Sequence, residues 1–289
     1  MKWFDYAAPG SLGEALRLLA EHPTAKPLAG GTDLIVQMRA GRHTPDVVVD
    51  LKKIPELNQL SFDPAKGLTL GAAVPCYRVY HDGAVRKAYP SLVALTSLIG
   101  GTQIQGRASV GGNLCNASPS ADSIPLLIAL GVQCLIASAD DERTVAVEDF
   151  CVSPGKNVMK PGEILVSLHF PAPAPRSGAS YLRFIPRNEM DIAVAGAGVS
   201  LTLENGHVSA ARIALAAVAP TPLFVREAGH SLVGKAPSDE NLRAAAELAK
   251  AAARPITDMR GTAEYRRHIC AVLTRRALEA AVQEANSHA

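Results

Sequence analysis

The stretch Gly100-Gly101-Thr102-Gln103-Ile104-Gln105-Gly106-Arg107-Ala108-Ser109-Val110-Gly111-Gly112-Asn113, running on through small polar residues to Asp122, restricts the fold more than any other segment. Glycine weakens helices and strands because it gives up the most backbone freedom on folding. Residues this dense in glycine belong between regular elements, and so long a connection is uncommon unless it binds something. Gly111 and Gly112 read as positions where backbone comes close to a ligand with no Cβ in the way. Around them Ser109, Asn113 and Ser118 can donate to phosphate or ribose oxygens, whereas Asp122 can accept from ribose hydroxyls or from a ring donor.

A shorter glycine loop lies upstream, Pro27-Leu28-Ala29-Gly30-Gly31-Thr32-Asp33-Leu34. It follows a strand signal and precedes a helical one. In that position backbone N–H groups converge on phosphate oxygens, and the helix N-terminus adds partial positive charge. Thr32 could add a hydroxyl donor. The same residues also make a tight strand-to-helix turn with Asp33 as its cap. One such loop is ambiguous, but two suit a dinucleotide.

The rest of the pattern is α+β. Ser11 followed by Glu14 is a capping box, and Leu12, Ala15, Leu16 and Leu19 then recur at helical spacing, which predicts a helix over about 11–22 directly after the N-terminal residues. Residues 26–29 and 47–51 read as short buried strands flanking a helical stretch at 34–39, a small βαβ unit. Further strands are predicted at 68–74, 132–138 and 163–170, and helices at 75–89 and 91–99. Pro125 suits the first turn of a helix reaching Leu130. Residues 171–175, Pro-Ala-Pro-Ala-Pro, are stiff and short of backbone donors, so a domain junction is placed there. This divides the chain into 1–175, with subdomains of about 1–57 and 58–175, and 176–289. Beyond the junction, strands at 192–203 and 208–218 flank Asn205-Gly206, a type I′ hairpin signal, and Ala-rich helices follow at 241–253 and 262–284.

Composition narrows the function classes. The 289 residues are 48% apolar and 19% charged with a net charge of +2, an ordinary globular balance with no basic footprint for nucleic acid. The N-terminus has no apolar run with a cleavage site, and the most apolar stretch, 126–137, is too short to span a bilayer, so no integral membrane segment and a cytoplasmic location are expected. Five cysteines form no CxxC pair, which places any iron-sulfur cluster in another chain. The eight histidines offer no HxH or HExxH spacing, and no metal site is expected. GxGxxG, P-loop and GxSxG signatures are absent, which disfavours Rossmann, nucleotide-hydrolysing and serine-hydrolase readings and assigns no catalytic residue.

Residues 29–33 (Ala-Gly-Gly-Thr-Asp) together with 108–122 resemble the FAD-binding medium subunit of the molybdenum hydroxylases, the family that includes the medium subunits of carbon monoxide dehydrogenase and bacterial xanthine dehydrogenase. Segments 161–165, 181–184 and 187–193 also look like family segments, in family order, so the resemblance covers nearly the whole chain. It implies a two-lobed FAD-binding domain of the vanillyl-alcohol-oxidase-like type, followed by a C-terminal antiparallel sheet plus helices. It also implies that residues 27–34 wrap the pyrophosphate, with the backbone donors of Ala29, Gly30 and Gly31 closest, and that Ser109, Val110, Gly111, Gly112 and Asn113 face it. Thr102 would lie near the flavin, Asp122 would bond the ribityl or ribose portion, and Leu165 would pack on the adenine. Tyr181 would pack against the isoalloxazine ring. Ile99 departs from an aromatic residue of xanthine dehydrogenases, and Arg183 stands where lysine is frequent, keeping a positive charge beside the flavin.

The resemblance assigns the remaining redox groups to other chains. A large subunit with a molybdopterin cofactor would oxidise the substrate, and a small subunit with [2Fe–2S] clusters would pass electrons to the flavin, in a dimer of heterotrimers. Two rival readings remain. One is a self-contained flavin oxidase of alcohols or amines, favoured by covalent attachment, although neither glycine loop contains histidine and Cys115 sits after the glycines. The other is a scaffold subunit that binds no flavin.

Overall fold

The computed structural model describes residues 1–287. Its first layer is a three-stranded parallel sheet in the order Asp5–Ala7, Val47–Asp50, Lys26–Leu28. The helix Leu12–Glu21 covers it with Ala15, Leu16 and Leu19, and Ser11 Oγ caps the helix by accepting from Glu14 N at 3.3 Å. The strand Asp5–Ala7 precedes this helix where the sequence predicts a direct start. Three residues are too few to carry a period-two signal.

The second layer is a five-stranded antiparallel sheet, ordered Leu60–Asp63, Gly67–Gly71, Ile164–Phe170, Gln133–Ala137, Glu142–Ala146. Between its second and fourth strands in this order, the chain makes a cap of short helices. The helix predicted over 75–89 is two, Cys76–His81 and Gly83–Ala88, because Asp82 Oδ1 accepts from Ala84 N and Val85 N and starts a new helix. The long glycine stretch is likewise not a plain loop: it holds the helices Thr102–Gln105 and Val110–Asn116. The helix Ser123–Ala129 that follows is buried on every side, which accounts for a sequence that is apolar after Ser123, whose hydroxyl is itself hydrogen-bonded.

The third layer is an antiparallel sheet ordered Ser177–Phe184, Ala195–Glu204, His207–Ala216, Leu223–Phe224. Asn205 and Gly206 have φ of 51° and 80°, the positive pair that a type I′ turn demands. Along Ala195–Glu204 the residues Ala195, Ala197, Val199 and Leu201 pack toward Asp239–Ala252 and Ala263–Ser287. On the opposite face Ser200 Oγ donates to Ala129 O at 2.6 Å, and a Cβ on Gly198 would lie 2.4 Å from Pro125 C. The buried helix is thereby clamped between the second and third layers. Residues 171–175 link those layers without regular structure, and Tyr89 Oη donates to Pro171 O at 2.8 Å. The whole is a mixed helix and sheet architecture, and no helix among the described residues is long and apolar enough to cross a membrane.

Candidate cofactor site

The two glycine loops come together along one cleft of about 850 Å³, within the range of sites that hold small cofactors. The strand Lys26–Leu28 delivers the chain to Ala29, and Gly31 at φ 77° turns it into the helix Leu34–Arg39. From the other side Ser109, with extended backbone, starts the helix Val110–Asn116. The loops touch directly: Arg107 Nε donates to Gly30 O at 3.1 Å, and a Cβ on Gly30 would sit 2.1 Å from Arg107 O. Gln37 Nε2 donates to Asn116 Oδ1 at 2.8 Å and ties the two helices as well.

Among the described residues the N–H groups of Gly30, Gly31, Thr32 and Gly111 donate to no protein acceptor, although all four residues line the cleft or adjoin those that do. Buried backbone donors are almost always satisfied, and Gly111 is buried while Gly30, Gly31 and Thr32 are half-buried at the cleft wall. Lys26, Arg42 and Lys160 also line the cleft. Unpartnered amides beside an excess of cations fit a dianionic diphosphate. Where FAD binds, these residues are the ones chemically suited to hold its diphosphate.

Individual side chains depart from their expected roles. Asp33 precedes the helix but caps nothing, because its own backbone is already helical (φ −98°, ψ −48°) and a capping side chain needs an extended one. Ser109 lines the cleft, and its Oγ accepts from Gly112 N at 3.0 Å, which leaves its O–H available to donate. Asn113 Oδ1 accepts from Ser123 Oγ at 2.6 Å, which leaves its NH₂ as the available donor. Gly111 lines the cleft, and its missing Cβ also lets the helix pack on the sheet: a Cβ would lie 2.6 Å from Ala72 Cα and O.

Ile99 and Leu165 line the cleft and are 7% and 3% exposed. Thr102, Val110, Ser118, Asp122, Tyr181 and Arg183 do not line it. Val110 is buried in the core, Thr102 is exposed at the start of its short helix, and Ser118 shares a hydrogen bond with Ser120. Asp122 is enclosed in a triad: Tyr181 Oη donates to Oδ1 at 2.6 Å, and Arg183 pairs with Oδ2. The positive charge of Arg183 is therefore met by Asp122. Burial pushes the Asp122 carboxyl up, opposed by Arg183, and pushes the Tyr181 phenol well up.

Sequence spacing missed another wall of the cleft, formed by Asn157, Lys160 and Glu163. Asn157 Nδ2 donates to Cys115 O at 2.8 Å across 42 residues, a pairing that no local motif announces. Glu163 meets Arg143 through both oxygens, at 2.9 and 2.8 Å, and these bonds hold its carboxyl below the ordinary 4.5. A depressed folded value stabilises the protein above the unfolded pKa, and that stability is lost as the pH falls through the folded one. Melting temperatures between about pH 5 and about pH 3 should therefore fall less steeply for Glu163→Gln than for the unchanged chain. Parallel curves would count against this pair as an acid-sensitive element. Cys115 also lines the cleft, but burial lifts its thiol to about 12, so it stays protonated and is a poor nucleophile for covalent flavin attachment.

The three-layered α+β fold and its amide-lined cleft define a protein built to hold a phosphate-bearing cofactor. Comparison with known proteins gives the family. Residues 2–173 match the FAD binding domain in molybdopterin dehydrogenase, and residues 180–281 match the CO dehydrogenase flavoprotein C-terminal domain. The chain is 31% identical to the xanthine dehydrogenase FAD-binding subunit of Escherichia coli O157:H7, and 34% identical to the carbon monoxide dehydrogenase medium chain of Afipia carboxidovorans, covering 98% of both chains each time. Among solved structures it superposes on reconstituted CO dehydrogenase from Oligotropha carboxidovorans with a TM-score of 0.93 at 33% identity, covering 98% of both chains. Quinoline 2-oxidoreductase from Pseudomonas putida 86 gives 0.91 at 31% identity over 99% of both. The chain belongs to the family of FAD-binding subunits of the molybdopterin-dependent dehydrogenases, and is an FAD-binding subunit of an oxidoreductase.

Proposed function

We propose that this chain holds FAD along the cleft with the diphosphate between residues 27–34 and 109–113, and carries electrons within a molybdenum hydroxylase. The observation that carries the reading is the set of unpartnered N–H groups of Gly30, Gly31, Thr32 and Gly111 at the junction of the two loops. Leu165 packs on the adenine, and Ile99 lies toward the flavin. The triad of Asp122, Tyr181 and Arg183 lies at the flavin end, where its net charge stays close to neutral. Bound FAD is stable after one or two electrons, and so joins single-electron donors to a two-electron acceptor. The chain's own contribution is to bind, orient and shield it.

In this reading a small partner with [2Fe–2S] clusters supplies the electrons, an external acceptor removes them, and a large molybdopterin-binding partner oxidises the substrate. The assembly is a dimer of heterotrimers in the cytoplasm. Residues 1–175 form the FAD-binding unit, of the vanillyl-alcohol-oxidase-like type with lobes 1–57 and 58–175, and 176–289 form the C-terminal unit. Mixing the FAD-loaded chain anaerobically with its chemically reduced small subunit should bleach the flavin absorbance. No bleaching, or oxygen-dependent turnover of simple alcohols or amines by the isolated chain, would overturn the electron-carrier role.

A further inference from the structure

Two cations that do not line the cleft hold the carbonyl oxygens of the first glycine loop. Lys52 Nζ lies 3.4 Å from Ala29 O, and Arg107 Nε donates to Gly30 O at 3.1 Å. Lys52 is itself fixed by Asp50, whose buried carboxylate accepts from Lys52 Nζ at 2.5 Å, from Lys52 N at 2.9 Å and from the Tyr6 hydroxyl. Arg107 is fixed through its backbone, which is pressed against Gly30.

The carbonyl of Ala29 and the N–H of Gly30 belong to one planar trans peptide and point in opposite directions, as do the carbonyl of Gly30 and the N–H of Gly31. Fixing each carbonyl therefore aims the following N–H. A cation at the oxygen also polarises the amide and strengthens its N–H as a donor. Neither N–H has a protein acceptor among the described residues. We propose that Lys52 and Arg107 are positioning residues that orient and polarise the Gly30 and Gly31 amides toward the diphosphate without touching it. This rests on the reading that the loop holds the diphosphate.

The test titrates the full-length chain, freed of flavin, with ADP as a diphosphate probe and with riboflavin, which has no phosphate. Arg107→Gln and Lys52→Met are each expected to raise the dissociation constant for ADP roughly tenfold, the size of one charge-assisted hydrogen bond, and to leave that for riboflavin within about twofold. Lys52→Arg is expected to recover most of the loss. Arg107 is exposed, so Arg107→Gln strands no buried charge and remains informative even if Lys52→Met unfolds by orphaning Asp50. Unchanged ADP binding in Arg107→Gln, or an equal loss for ADP and riboflavin, would overturn the positioning role alone. Failure of the unchanged chain to bind ADP would overturn the diphosphate site as well.

Discussion

Gly30→Ala is expected to lower the affinity for FAD by at least about 100-fold while leaving most of the chain folded. The added Cβ would lie 2.1 Å from Arg107 O, 2.6 Å from Arg107 C and 3.0 Å from Ala108 N. All three are backbone atoms, so no change of side-chain rotamer relieves the contact. One loop must retreat from the other, and donors that converge from the two sides then no longer meet one ligand. Hydrogen bonds weaken steeply with distance and angle. Losing two that are assisted by phosphate charge, at about 1.5–3 kcal/mol each, amounts to two or more powers of ten. The flavin-to-protein ratio after dialysis, read beside far-ultraviolet circular dichroism, measures both halves of the expectation. A folded variant that keeps a full complement of flavin would show that the loops need not touch.

The second large effect is on stability. Asp122→Ala should destabilise the chain by about 3–5 kcal/mol, because it leaves Arg183 as an uncompensated charge in the interior. The side chains of Arg183 and Asp122 are 8% and 13% exposed, so water reaches neither freely. Tyr181 loses its acceptor in the same step. Removing the cation too, in Asp122→Ala with Arg183→Met, should return part of the loss, since an apolar replacement of a buried pair is often close to neutral. Urea unfolding of the two variants checks this. A single variant that loses less than about 1 kcal/mol would mean the triad is solvated and loosely held.

The elements that sequence reasoning located best are those whose signals are local. The N-cap at Ser11, the turn at Asn205-Gly206 and the strand-to-helix turn at Gly30-Gly31 each rest on a few adjacent residues and stand as expected, although Glu14 reaches back to Gly10 N where a capping box would have Ser11 N, and Asp33 caps nothing. The strand Ser177–Phe184 did not announce itself. It is half-buried along most of its length, and it pairs through its backbone with Ala195–Glu204, so its side chains carry little alternation. The break at Asp82 was missed for a related reason: the apolar spacing continues through it, and only the carboxylate's two backbone bonds divide the helix.

Within the site, the loops were legible and the reasons for their glycines were not. Gly111 suggests backbone close to a ligand, and a second reason for its missing Cβ comes from Ala72, 39 positions earlier in sequence, across the junction of helix and sheet. Ser109 carries the right residue type for a donor, and the same hydroxyl also accepts from the first turn of its own helix, a second role that the glycine pattern does not announce. Asp122, Tyr181 and Arg183 were each picked out singly. Their mutual pairing spans about 60 residues and depends on the third sheet docking against the helix Ser123–Ala129. Lys52 lies outside any motif, and Arg107, although within the long glycine stretch, is not marked by it, because their role runs through the carbonyls behind the first loop.

A crystal structure of the full-length chain with FAD tests the central claim most directly. The account predicts diphosphate oxygens within about 3.2 Å of the Gly30 and Gly31 amide nitrogens, with Gly111 on the facing side. A diphosphate seated anywhere else, with those amides turned to solvent, would contradict it.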